Sequence, residues 1–524
     1  MALRQVSVFN KAFERVAFAS HLLSYEVQET SKETGQFTLW MQTTPENMEH
    51  FVKDHVVELL FDGEEDEDVQ NLVLNSGAVY TATGTDTFVE SMNYQAYAIS
   101  LDADMLLHER VGVFALRYSA SGVSLSAGGY VKANIYYTVN EDPKVMTIDL
   151  SAAVLTNGTD RAYVTASFPA GVLEFTYVEI LIYQVKGTVT IDQPMLYVGS
   201  SLLGYVPAPE DTMELKYPNR VWGIIVARIE KKTDGFEGLE VHGRLLDDVL
   251  RWRCLWYRYV NTDTIPNIVA DLIDTHLITP ALPERAVSWV VLDKMLGTGF
   301  DITTVSRIAG GYLSDYVYTL LSTVNLGLRA IYDKRLEQVR LYLYKGKDRS
   351  MNQSERPYVL FSDNNGMLVD PEYTEDDSAY KNVARVTGTF NEVVTGITIG
   401  TASGAERREV YVGATGVESP HADNTPMTEA EFLQALNQLG IERLVASQTV
   451  KSLTSKVYAG SYVYGKDYML GDTVSVIYAN IGVAYHAPIE AVIRSGTGVD
   501  EQIELVFGKG LMTLNEKLKA RLAY

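Results

Sequence analysis

One cysteine, Cys254, occurs in 524 residues, which excludes an internal disulfide framework. It lies between Trp252 and Trp256, an apolar cluster in which a buried structural thiol is expected. Long apolar runs are missing too. No stretch reaches the ~18 residues of a membrane span, and the start, MALRQVSVFNKAF, carries no apolar leader core. The expectation is a soluble protein with no membrane span and no secretory route of its own. Basic charge is scarce, with 44 Lys and Arg against 67 Asp and Glu, a net charge of −23. Tight phosphate contacts need Lys and Arg, so nucleic acid is not expected as a held partner. The same charge suits a surface past which nucleic acid slides.

Motifs for chemistry are equally sparse. The chain has no His-Glu-x-x-His pair, no paired cysteine ligands, no phosphate loop and no Gly-x-Ser-x-Gly elbow. Its histidines (His21, His50, His55, His108, His242, His276, His421 and His486) are scattered, and the closest pair, His50 and His55, does not share a helix face. The acidic run Asp62–Asp68 lacks the alternating ligands of a calcium loop and reads as a solvated linker. No catalytic, metal or cofactor assignment follows, and the chain is read as a non-enzyme.

Ordered strand is abundant. The organising stretch is Val221–Trp256: Ile224–Glu230 is β-branched, Lys231–Gly235 forms a turn, and Leu239–Arg244 alternates as a returning strand. Helical spacing follows at Leu245, Leu246, Val249 and Leu250, with Asp247 and Asp248 in the first turn. Such a unit needs partner strands to bury its apolar faces. These occur at the N-terminus: Val6–Phe9 with Glu14–Ala19, Ser24–Gln28 with Gly35–Gln42, a short helix from Pro45, and Val56–Phe61.

Between residues 69 and 211 the texture changes to short strands separated by Gly, Ser, Asn and Pro turns, with no helix: Asn71–Asn75, Tyr94–Leu101, Val111–Ser119, Gly129–Val139, Arg161–Phe168, Phe175–Val185 and Thr188–Tyr197. That pattern predicts a sandwich or jelly roll. Linkers bound it, Asp62–Asp68 before and Pro207-Ala208-Pro209 after, so a domain inserted into a loop of another is expected. Further on, Ser314–Val324 predicts a helix, and Asn365-Gly366 a tight turn. Thr428 and Glu431 predict a capping box opening a helix that Gly440 interrupts or spans. Leu514–Leu522 predicts a terminal helix.

With the insert removed, Val6–Asp62 followed by Asn219–Trp256 resembles the N-terminal domain of baseplate hub proteins of long-tailed phages. Leu326–Ser350, Phe361–Gly388 (FSDNNGMLVDPEYTEDDSAYKNVARVTG) and Asp467–Tyr478 with the closing ELVFGKGLMTLNEKLKARL carry the same likeness. The insert resembles carbohydrate-binding jelly rolls of phage tails through its VGSS…VPAPED exit. The resemblance implies a β-rich, multidomain α+β chain. Residues 1–68 and 212–260 form a discontinuous β-barrel domain around an inserted jelly roll at 69–211. An α+β domain at 261–350, a second barrel-like or α+β domain at 351–450, and a C-terminal β domain with a terminal helix at 451–524 follow.

It also implies a structural virion protein at the tail tip, assembled in the host cytoplasm. The implied form is a homotrimeric ring meeting the distal tail protein, the tape-measure protein and other baseplate or receptor-binding proteins, with DNA passing through unbound. The alternatives are the hub of a contractile injection device, or a polysaccharide-active enzyme carrying a carbohydrate-binding module. Sugar contacts in the insert would fall to tyrosines, because Trp40, Trp222, Trp252, Trp256 and Trp289 all lie outside it. The candidates are Tyr94, Tyr97, Tyr136, Tyr137, Tyr163 and Tyr183.

Overall fold

The computed structural model describes residues 3–61, 79–85, 89–95, 111–140, 142–167, 173–198, 202, 215, 217–233, 236–293, 302–333, 338–414, 417, 425–457, 462–497 and 501–508. The expected strand Asn71–Asn75 and the terminal helix Leu514–Leu522 lie outside them. The chain forms two compact units. One comprises Met1–Gly63, Glu214–Tyr332 and Glu337–Tyr524, and the other Glu64–Met213 with Asp333–Leu336.

The first unit is built on a 13-stranded sheet. Val56–Phe61 lies antiparallel to Leu3–Phe9 on one side and to Arg220–Thr233 on the other, with Leu59 opposite Val221. The strands that precede and follow the second unit in sequence therefore pair directly. Arg220–Thr233 runs on through Lys231 and Lys232, where a turn was expected, and pairs with Phe236–Leu245 to its end. Gln36–Gln42 and Leu22–Thr30 extend the sheet, and their alternating Phe37, Leu39, Met41, Tyr25 and Val27 fill one apolar core. Leu22–Thr30 then pairs with Val483–Gly496, which leads on through Glu501–Gly508 and Val450–Val457 to the edge strand Leu368–Asp376. A second core, including Phe361, Val474, Val476, Leu505 and Phe507, forms there.

Local signals decide most helix boundaries. Thr44 caps Pro45–His50 by accepting from the Asn47 amide at 3.1 Å. Glu429–Ala446 opens with the full Thr428–Glu431 capping box and passes through Gly440 unbroken. A Cβ there would stand 2.3 Å from Ile399 and 2.8 Å from Val386, so glycine lets the helix lie against the strands Val383–Phe390 and Val393–Ile399. Leu313–Thr323 buries Val317, Tyr318, Leu320 and Leu321. Leu246–Trp252 departs from expectation: it is a 3-10 helix, and both Asp247 and Asp248 are buried. At seven residues it is more than two turns, long for that geometry.

The second unit has a single six-stranded hydrogen-bonded network in which two very long strands dominate, Val111–Val139 and Leu173–Val198. Each replaces two of the expected shorter strands. They pair in two stretches, Leu173–Tyr183 against Tyr130–Val139 and Val185–Val198 against Gly112–Leu125, with further register shifts inside each. Gly128, at φ +85°, lies in the offset between them, a conformation other residues reach only with strain. Asp142–Asp149 and Val89–Gln95 flank the first half, and Thr159–Ser167 and Tyr80–Thr85 the second. Phe114, Leu116, Val131, Ile135, Ile148 and Ile180 from both halves share one core, giving the expected sandwich. A short helix, Ser151–Val154, was not anticipated; Val154 anchors it in that core.

Candidate functional site

Parity along the strands builds the first candidate surface. Val131, Ala133 and Ile135 point into the sandwich core, so Tyr130, Lys132, Asn134 and Tyr136 occupy the opposite face. On Leu173–Val198, Val178, Ile180 and Ile182 face inward, leaving Tyr177, Glu179 and Tyr183 outward. The register sets Tyr136 opposite Tyr177 and Tyr130 opposite Tyr183. The first pair stacks with centroids 4.4 Å apart, and the second tilts at 5.3 Å. Six residues of strand separate the two rungs, roughly 20 Å.

Polar side chains join them. The Tyr136 hydroxyl donates to Glu179 at 2.9 Å, and Thr147 donates to Asn134 Oδ1 at 2.8 Å. Lys132 Nζ sits 5.1 Å above the Tyr130 ring and 3.6 Å from Asp149. The hydrogen bond to Glu179, then partial burial, raises the Tyr136 hydroxyl pKa and keeps it a donor. Aromatic faces interleaved with amide, hydroxyl and carboxylate groups suit a polyhydroxylated ligand, which offers C–H faces and hydroxyls in alternation.

The sequence candidates divide accordingly. Tyr136 and Tyr183 lie on this face. Tyr137 packs against the sandwich core, so parity removes it. Tyr163 is exposed but belongs to the other half, opposite Ala115. Tyr94 pairs with Val178 in the backbone register, and Tyr97 lies outside the described residues. Tyr130, Tyr177, Asn134 and Glu179 were missed. Counting by two from the apolar Val131, Ala133 and Ile135 would have selected Tyr130, Asn134 and Tyr136 and rejected Tyr137.

The first unit holds a different kind of site, a buried ionic centre. Glu29, fully buried, pairs with both Arg329 and Arg494. Arg494 lies over Phe61, 3.7 Å from the ring centroid, and 5.3 Å from that of Tyr464. Nearby, Tyr318 donates to Asp247. Burial lifts the Asp247 carboxyl to about 6, against that hydrogen bond and the charge of Arg329, which pull it down. A carboxyl at 6 suits proton transfer, but Asp247 is only 4% exposed. Its role is structural: the centre joins Leu22–Thr30, Gly327–Asp333 and Val483–Gly496. Among the described residues no cluster of His, Cys, Asp and Glu is arranged to hold a metal ion. No helix among them is long and apolar enough to cross a membrane.

The solved structures that resemble this chain include three of similar extent. A tail protein from Neisseria meningitidis MC58 shares 11% identity at a TM-score of 0.42, with 96% of each chain covered. The 43 kDa tail protein of prophage MuSo2 from Shewanella oneidensis shares 8% at 0.41, covering 97% of this chain and 98% of that one. Prophage tail protein gp18 from Listeria monocytogenes EGD-e shares 8% at 0.41, covering 99% and 98%. No curated protein matches. The model of the Siphovirus ReqiPepy6 Gp37-like proteins matches residues 214–509, more than half the chain and starting where the first unit resumes. The chain belongs to the Siphovirus ReqiPepy6 Gp37-like protein family.

Proposed function

We propose that this protein is the baseplate hub at the distal end of a long-tailed phage tail, a structural component and not an enzyme. The observation that carries the reading is the family match over residues 214–509. The hub-like motifs at Phe361–Gly388 and Asp467–Tyr478 lie inside that span and support it. In this reading residues 1–68 with 212–260, 261–350, 351–450 and 451–524 are hub segments, and 69–211 is an inserted module. Three copies close into a ring by a heterologous, rotating contact. The ring meets the distal tail protein and the tape-measure protein, and DNA passes through without specific binding. The acidic chain, at −23, disfavours phosphate contacts during passage.

The inserted module binds host surface carbohydrate through Tyr130, Tyr136, Tyr177 and Tyr183, with Asn134 and Glu179 supplying hydrogen bonds. Tyrosine contacts are individually weak, and several copies on one ring raise avidity. Two measurements test the proposal. Labelling purified virions with an antibody to this chain is expected to mark the tail tip, and label on the capsid or absence from the particle would overturn the hub reading. Titrating a multivalent display of the module with host wall polysaccharide tests the sugar role. Binding that survives Tyr136→Ala with Tyr183→Ala, or no binding at all, would remove it.

A further inference from the structure

The segment Trp252–Tyr257 reverses its sequence expectation. Trp252, Trp256, Tyr257 and Tyr312 are 43%, 50%, 55% and 49% exposed, and Cys254 is only partly buried. Only Leu255 is fully buried, because the segment lies against residues 310–313 and turns its aromatics outward. Cys254 forms a β-bridge to Tyr312, the Gly310 amide donates to the Leu255 carbonyl at 2.7 Å, and the Leu313 amide donates to the Arg253 carbonyl at 2.9 Å. Arg285 stacks 4.4 Å from the Trp256 ring, and Arg251 lies 5.4 Å from that of Tyr312. These contacts make one continuous surface.

Of the arginines on this surface, Arg251 lies 3.8 Å from Asp248, and two others lack a carboxylate. Arg307, Arg340 and Arg349 each hold a carboxylate, at 2.6, 2.7 and 2.8 Å. Arg253 and Arg285 have none among the described residues, although acids outnumber bases 67 to 44. Arg253 Nε donates to the Arg285 carbonyl, and Arg285 Nη2 to the Cys254 carbonyl, both at 2.7 Å. The two arginines are thus tied to the same short stretch of backbone. Burial, and then the charge of Arg285, push both Arg253 and His276 below their ordinary pKa ranges. At His276 the charge of Asp271 offsets part of that push, whereas only burial and Arg285 act on Arg253.

We propose that this surface docks an acidic segment of a partner protein. A carboxylate of the partner meets Arg253 beside Arg285, and an adjacent apolar side chain lies on Trp252, Trp256 and Tyr312. Trp, Tyr and Arg are the residues that dominate interface energetics, and a carboxylate on a partly desolvated arginine forms a strong charge-assisted bond. The inference is independent of the tail reading.

The test uses the full chain and three labelled probes: a peptide of alternating Glu and Leu, its Lys–Leu counterpart, and oligothymidylate. The Glu–Leu peptide is expected to bind, more weakly as salt rises, whereas the Lys–Leu peptide, which the net charge of −23 attracts elsewhere, should bind no differently in Trp256→Ala. Arg253→Glu and Trp256→Ala should each weaken binding at least tenfold. Both sites are at least partly exposed, and an unchanged melting temperature would show that the fold is kept. Failure of the Glu–Leu peptide to bind, or binding unchanged in both variants, would overturn the proposal. Preferential capture of oligothymidylate would reassign the surface to nucleic acid. Self-association in sedimentation that disappears in Trp256→Ala would reassign it to a second copy of the chain.

Discussion

The two units treat polar groups in opposite ways. The first buries them, with Glu29, Arg329 and Arg494 interlocked at the meeting of three strands and Asp247 sealed beneath Tyr318. The second keeps its core apolar and sets tyrosines, amides and carboxylates on an outer sheet face, Arg117–Asp192 being an ion pair with one exposed partner. Buried ion pairs add little net stability, because desolvation offsets attraction, but a mispaired strand would leave a charge stranded. They suit a unit whose strands come from distant parts of the sequence. An apolar core with a polar face suits a unit whose surface meets ligands.

The largest expected effect would break this contrast on the first unit's side. Glu29→Ala leaves two buried arginines without a counter-charge, and a loss of about 3–5 kcal/mol is expected. Calorimetry should show it in the first unit's transition, with the second unit's unchanged. Ile180→Ala, in the sandwich core, should do the reverse and cost roughly 2–4 kcal/mol there. If both substitutions shift one common transition, the units do not fold separately.

Asp247 sharpens the comparison through pH. Its folded-state value of about 6 lies above the ordinary 3.8. The native chain therefore binds a proton more tightly than the unfolded chain between those values. Stability should fall as pH rises from about 4 to 6, by up to ~3 kcal/mol, and stay lower above that window. Asp248, raised mainly by burial, adds in the same direction. Asp247→Asn should flatten much of the profile, as read by denaturant midpoints across the window. The smallest effect on stability belongs to the second unit's face. Tyr136→Ala removes a stacked pair and one hydrogen bond at a partly exposed position, and should cost no more than ~1.5 kcal/mol. Its consequence is expected in polysaccharide titration.

Legibility in the sequence followed the range of the forces involved. The capping box at Thr428, the Pro45 helix start and the alternation in Gln36–Gln42 are local, and each was readable. The pairing of Val56–Phe61 with Arg220–Thr233 was readable because both were strong strands without a neighbour. The Glu29–Arg329–Arg494 centre was not: Glu29 shares the inward parity of Tyr25 and Val27, but its partners lie far away in the chain and nothing local identifies them. The fusion of paired strands into Val111–Val139 and Leu173–Val198 was hidden because glycines that bend a strand resemble glycines that end one. The tyrosine face was half legible: composition pointed to tyrosine, but choosing Tyr136 over Tyr137 required knowing which parity faces the core. The Trp252–Tyr257 surface misled because an apolar cluster in sequence is taken for core until its neighbours are known.

A reconstruction of tail tips assembled with the chain in which residues 64–213 are replaced by a short Gly/Ser linker tests the division between hub and insert most directly. The expected result is an intact closed ring at the tip, three copies per particle, lacking one lobe of density per copy and adsorbing less well to host cells. Tails that lack the ring, or a tip unchanged in both density and adsorption, would contradict it.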